Sequence, residues 1–185
     1  MHFVRAGLVS VVVGAMVLVT GVEQSDAAGA AETSSSARSA LKTLYASSPA
    51  AKMLGEKAKG ILVFPSILKA GFVFGGQGGD GAMIKQGKTV AYYRTLAASY
   101  GFQAGIQKFG YALFFMTDSG LSYLDKSGGW EIGSGPSLVI VDEGFAKSMT
   151  TTTLTQDVYA YIFDQKGLMA GIGIQGSKIT RIHPK

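Results

Sequence analysis

The chain has 185 residues, with 26 glycines, four prolines, no cysteine and a formal net charge of +5. The absence of cysteine excludes thiol nucleophiles, zinc–thiolate sites, redox motifs and disulfide staples, so stability must come from packing. Glycine stands at about twice its usual share with little proline, which excludes a collagen-like or disordered chain and points to tight turns, bulges and close backbone approach within sheets.

At the N-terminus, His2 and Arg5 precede an apolar run from Ala6 to Val19, and small residues follow at Ala27, Ala28 and Ala30. This is the three-part layout of a secretory signal. Thr20, Gly21 and Glu23 close the run short of the ~20 apolar residues a spanning helix needs. We therefore expect residues 1–27 to be a signal peptide and the protein to be periplasmic or secreted. The stretch Leu18-Val19-Thr20-Gly21-Val22 is similar to a lipoprotein signal box, but Val22 stands where the lipidated cysteine would be, so no covalent lipid anchor is expected. Removal of Arg5, Glu23 and Asp26 with that segment raises the net charge to +6.

Residues 28–36 are small and polar and read as a flexible tether, leaving 37–185 as a single domain. Ala37, Ala40, Leu41, Leu44 and Tyr45 recur at helical spacing over about Ser36 to Ala46. A second helix opens with Ser48 as its cap and Pro49 in its first turn. From Ile61 onward the pattern changes to short apolar or alternating runs punctuated by glycine, the mark of strands. The expected strands are Ile61–Phe64, Gly71–Phe74, Gly81–Lys85, Thr89–Arg94, Ser99–Gln107, Ala112–Met116, Ser137–Val141, Val158–Gln165, Leu168–Ile174 and Lys178–Ile182. Gln86-Gly87 and Lys166-Gly167 read as tight turns, and a short helix capped by Thr117 or Asp118 interrupts the strands. The fold class is α+β, with N-terminal helices packed on antiparallel glycine-rich β-sheets curled into a sandwich or partial barrel.

Two glycine triplets, Gly76/Gly78/Gly81 and Gly171/Gly173/Gly176, have dinucleotide-loop spacing, but neither is followed by a helical period. His183 is the one histidine beyond residue 27, the third residue from the end of the sequence, a poor member for a Ser-His-Asp triad. Ser66 and Lys69 have Ser-x-x-Lys spacing in a loop-like setting after Pro65. Asp142-Glu143, Asp80, Asp157 and Asp164 are scattered as turn residues. No catalytic residue, metal site or cofactor is expected.

Charge is concentrated in one stretch. Arg38, Lys42, Lys52, Lys57, Lys59 and Lys69 face a single acid, Glu56, between Ser34 and Lys69. Such a cluster is drawn to an anionic lipid surface by about 1 kcal/mol per cation, and the same lysines would serve as an ordinary solvated face. Nucleic acid suits the charge but not the exported location. Leu41, Leu44 and Tyr45 are candidates for shallow membrane insertion and equally for burial in the core.

The segments Ile61-Leu62-Val63-Phe64-Pro65-Ser66, Lys69-Ala70-Gly71-Phe72 and Gly75-Gly76-Gln77-Gly78-Gly79-Asp80-Gly81 resemble the opening signature of SYLF, or Ysc84-type lipid-binding, domains. Ser99-Tyr100-Gly101-Phe102-Gln103-Ala104-Gly105, Phe114-Phe115-Met116, Gly135-Pro136, Tyr159-Ala160-Tyr161 and Lys166-Gly167-Leu168-Met169-Ala170-Gly171 continue it in family order. The resemblance implies a non-catalytic module, in an exported bacterial member, that binds anionic phospholipid headgroups of phosphoinositide type through its basic helical part, here Arg38–Lys59 and Lys69. The alternative is an envelope structural or protein-partner-binding module. Tyr92-Tyr93-Arg94 departs from the Trp-Ser-x-Pro element of many eukaryotic members, so their ligand details do not carry over.

Overall fold

The structure, a computed structural model, describes residues 29–126, 128–150, 154–167, 173, 174 and 176–184. Two helices, α1 (Ala30–Ser47) and α2 (Pro49–Lys57), precede β1 (Gly60–Lys85) and β2 (Lys88–Phe115). Then come α3 (Asp118–Ser122), a 3-10 turn, β3 (Trp130–Glu131), β4 (Leu138–Val141), α4 (Glu143–Ser148), β5 (Val158–Gly167) and β6 (Lys178–Ile182). The signal-peptide reading of residues 1–27 lies outside the described residues, as does most of the Leu168–Ile174 run.

Helix α1 starts at Ala30, so the stretch expected to be a flexible tether forms its first two turns. Tertiary contact outweighs the weak helix preference of the serines and threonine there. Thr33 is buried, and the Ser34 hydroxyl is 2.7 Å from that of Thr89. As expected, Ser48 caps α2 by accepting from the Ala51 N–H at 3.1 Å, with Pro49 in the first turn.

Six expected strands merge into one long antiparallel hairpin. Its turn is Gln86-Gly87, both residues at positive φ (49° and 73°), which matches the right-handed twist of the flanking strands. Pro65 cannot donate to the ladder, and the pairing slips between Phe64 and Ile67 where it sits. The second half of β1 lies across its own first half, with Gly79 and Gly81 against the Ser66 and Val63 carbonyls. The sheet is thereby curled into a partial barrel.

On its far edge β2 carries β6 along Tyr92–Leu96 and β5 along Gln107–Phe115. Strand β3 extends the sheet beyond β6, and β4 extends it beyond β5 in the one parallel pairing among the described residues, a departure from the all-antiparallel expectation. Lys166 and Gly167, expected to form a turn, continue β5 opposite Lys108 and Gln107. Two elements were not anticipated: β3, and α4, whose cap Asp142 accepts from the Phe145 N–H at 2.7 Å.

Successive side chains of a strand point to opposite faces, and here both faces are covered near the strand ends. Leu62, Phe64, Tyr111, Leu113 and Phe115 enter the barrel interior with Trp130 and Ile179. Ile61, Val63, Ala82, Ile84, Ala112 and Phe114 meet Ala37, Leu41, Leu44, Ala51 and Leu54 of the helices. Double coverage is why Ile61–Phe64 and Tyr111–Phe115 read as continuous apolar runs rather than alternating ones.

Candidate functional site

The structure disperses the basic residues singled out in the sequence. Arg38 turns along α1 to the hairpin tip and donates to the Gly87 carbonyl at 2.7 Å and to the Thr89 hydroxyl at 3.3 Å. Lys59 forms an ion pair with Asp118. Lys69 is buried on the inner face of β1 and offers no charge to an outer surface. Lys42, Lys52 and Lys57 are exposed and have no ion-pair partner among the described residues, but Lys52 shares its helix face with Glu56 four residues on.

The three candidates for membrane insertion are structural in this conformation. Leu41 and Leu44 belong to the core between helix and sheet. Tyr45 is half-buried, its phenol closing over Gly55, and burial together with nearby Glu56 pushes its pKa up to about 12. An amphipathic helix cannot give the same apolar stripe to its own sheet and to a bilayer at once.

The candidates for chemistry are also accounted for. Gly76, Gly78 and Gly81 lie inside β1, not at the start of a helix. Asp80 takes two hydrogen bonds from Arg94, at 2.7 and 3.0 Å. Asp157 accepts from the hydroxyls of Thr117 (2.7 Å) and Ser137 (3.0 Å) and from the Ser137 N–H (3.1 Å). These bonds, led by that of Thr117, hold its carboxyl below the usual range. His183 is exposed. Among the described residues no group of three His, Asp or Glu could hold a metal ion, and no helix is long and apolar enough to cross a membrane.

Sequence reasoning missed the middle of the hairpin. There the usual distribution of side chains is reversed. On the outer face Leu68 is 55% exposed, Leu96 57% and Ile106 68%. Their chain neighbours Lys69, Thr95 and Gln107 are buried on the inner face, as is Gln77. Gln77 reaches the Ser177 hydroxyl at 3.1 Å, whereas the Gln107 Oε1 atom has no hydrogen-bond partner among the described residues. The Pro65 bulge sets this phase in β1: because the pairing slips there, Ile67 and Lys69 follow Leu62 and Phe64 inward and Leu68 turns out.

Lysines flank the exposed apolar side chains. Leu68, Lys108 and Lys166 lie opposite one another in consecutive strands, and so do Gly78, Leu96 and Lys178. Lys108 and Lys166 face an open cleft that α1 borders with Glu32, Thr33 and Ser36, and Asp164 lies in it too. Like charges directly opposite in a sheet are destabilising, and no described acid forms an ion pair with either lysine. Alternation of Leu68-Lys69-Ala70 and Ile106-Gln107-Lys108 was the available signal, but by itself it leaves open which set faces in.

Residues 96–183 match the family described as Ysc84, Las17-binding protein actin regulator. No curated protein matches the chain. The matched segment runs from Leu96 in β2 through β6 and leaves out the helical layer and β1. Domains of this kind are binding modules and not a known enzyme family. Over residues 96–183 the chain is therefore similar to the Ysc84, or SYLF-type, family, in agreement with the resemblance read from its sequence.

Proposed function

We propose that the protein is a non-catalytic module, exported and peripherally membrane-associated, that binds anionic phospholipid headgroups of phosphoinositide type at a membrane surface. The observation that carries this reading is the set of exposed lysines without ion-pair partners among the described residues: Lys42, Lys52 and Lys57 on the helices and Lys108, Lys166 and Lys178 on the sheet. Several cations held on a rigid scaffold draw an anionic surface additively until salt screens them. The family match over residues 96–183 supports a binding role. The secretory layout of residues 1–27 supports a periplasmic or secreted location, where actin is not available as a partner.

Sedimentation with vesicles of phosphatidylcholine alone, or mixed with phosphatidylglycerol or a phosphoinositide, tests the reading. The expected result is binding to the anionic vesicles that weakens as salt rises. Absence of binding to every anionic vesicle would overturn it. A second reading, a protein-partner module of the envelope, is favoured by the edge strand β4. Its exposed Ile140 borders an apolar cleft with Pro49, Ala50, Ala146 and Tyr161, the setting in which a partner strand adds to a sheet. Capture of one envelope protein, abolished by Ile140→Lys, together with failure to bind lipid, would establish it.

A further inference from the structure

We propose that the element entering the membrane is the folded middle of the β1–β2 hairpin, by its outer face around Leu68, Leu96 and Ile106, rather than helix α1. The inference rests on the lipid reading above and names the surface for it. Its basis is the reversal of polarity along the hairpin. Toward its ends and its tip the inner face is apolar and packed, whereas in the middle Lys69, Gln77, Thr95 and Gln107 are buried and Leu68, Leu96 and Ile106 are turned outward. In water the outward apolar side chains of this arrangement cost free energy by remaining exposed. Facing hydrocarbon it is the favourable one, with apolar side chains outside and polar side chains inside, as in strands that face lipid.

Charge complementarity selects the occupant. Lys108 and Lys166 oppose each other beside Leu68, and Lys178 lies beside Leu96. Asp80 is already held by Arg94, which leaves Glu32 and Asp164 as the acids bordering this surface, neither in an ion pair with Lys108 or Lys166. Apolar side chains rimmed by lysines suit the boundary between acyl chains and anionic headgroups. Gly78 assists: a Cβ there would stand 2.7 Å from the Leu96 side chain, so its absence lets Leu96 lie flat across the sheet.

The path of the chain agrees. The N-terminal turns of α1, at Glu32, Thr33 and Ser36, border the cleft that holds Lys108 and Lys166. The apolar run ending at Val19 is joined to α1 by residues 20–29, which reach at most ~35 Å when fully extended. Until the signal segment is removed, that run, seated in a bilayer, would hold α1 and the neighbouring sheet surface near the same bilayer.

The chain has no cysteine, so single probes can be placed without background. Ile106→Cys, Leu96→Cys and Lys57→Cys variants of the full chain would each carry an environment-sensitive fluorophore. They would be mixed with vesicles of phosphatidylcholine alone, or with phosphatidylglycerol, some containing nitroxide-labelled lipid. The expected result is a blue shift and nitroxide quenching at 106 and 96 on anionic vesicles, with the probe at 57 remaining in water. Separately, Lys108→Glu with Lys166→Glu should reduce partitioning roughly tenfold or more, while Trp130 fluorescence confirms that the fold is retained. Binding with lipid contact at 57 and not at 106 or 96 would overturn this inference and leave the lipid reading standing. Absence of binding by the unsubstituted chain would overturn both. Shielding of residue 106 without lipid, with a doubled mass in solution, would assign the surface to a second copy instead.

Discussion

Gly81 lies against Val63 so closely that a Cβ on the glycine would stand 2.5 Å from the Val63 carbonyl oxygen and 2.6 Å from the Phe64 ring. At this contact β1 crosses itself, and the obstacle to a side chain is backbone, which cannot swing aside. Gly81→Ala is therefore expected to destabilise the protein by about 1–3 kcal/mol through overpacking. Gly128, with open space around its Cβ position, supplies the control, since Gly128→Ala should change stability by less than about 0.5 kcal/mol. Thermal melts followed by Trp130 emission check both. Trp130 is the single tryptophan, buried with its Nε1–H donating to the Ser134 carbonyl at 2.8 Å.

At the hairpin tip, Gln86 holds a positive φ that glycine and asparagine adopt with less strain. Its side chain is exposed. Gln86→Asn produces Asn-Gly, the preferred pair for this turn, and should raise stability by about 0.5–1 kcal/mol. An unchanged or lowered urea midpoint would show that this turn carries no such strain.

Arg38 is the basic residue whose loss should be felt in the fold. Its guanidinium joins α1 to Gly87 and Thr89, so Arg38→Ala should cost about 1 kcal/mol in urea denaturation. Lys42→Ala, one turn along and exposed, should leave stability within about 0.5 kcal/mol. Equal effects from the two would remove the clasp from the account.

Asp157 sets an acid limit at the junction of α3, β4 and β5. Its folded pKa is depressed, first by the Thr117 hydroxyl and then by the Ser137 N–H and hydroxyl. The stabilisation is therefore fully present above the unfolded carboxyl value of about 3.9 and is lost as pH falls through the lower folded value. Urea midpoints measured downward from about pH 6 should fall below about pH 4, and Asp157→Asn should flatten that fall. A slope unaltered by the substitution would assign it to other carboxyls.

The helices and most strand positions were legible because propensity, caps and apolar spacing agreed there: Ser48-Pro49 opens α2, Thr117 caps α3, and Gln86-Gly87 turns the hairpin. Where tertiary contact decides, local sequence was a poor guide. The Ser- and Thr-containing start of α1 is helical because Thr33 is buried and Ser34 finds a partner, Thr89, in the sheet. The glycines at 75, 76, 78 and 79 divide the sequence pattern of β1 without interrupting its pairing. The candidate site was the least legible part, for a physical reason. Rules that send apolar side chains inward place Leu41 and Leu44 correctly, yet they misplace Lys69, which is buried, and Leu68 and Ile106, which are not.

The two-residue turn at the hairpin tip also bears on how the chain acquires its shape. Pairing can spread outward from Lys85 and Lys88, each new rung closing a loop only slightly longer than the last, so little additional closure entropy opposes each step. The partners Gly60 and Phe115 meet last, and the parallel strand β4 must await the arrival of β5. Hydrogen-exchange pulse labelling during refolding should therefore show amides near 84–91 protected before those near 60 and 115, and those of 138–141 no earlier than those of 158–161. In a chain passing through an export channel from its N-terminus, α1 and the hairpin tip would then be assembled while the C-terminal strands were still on the other side.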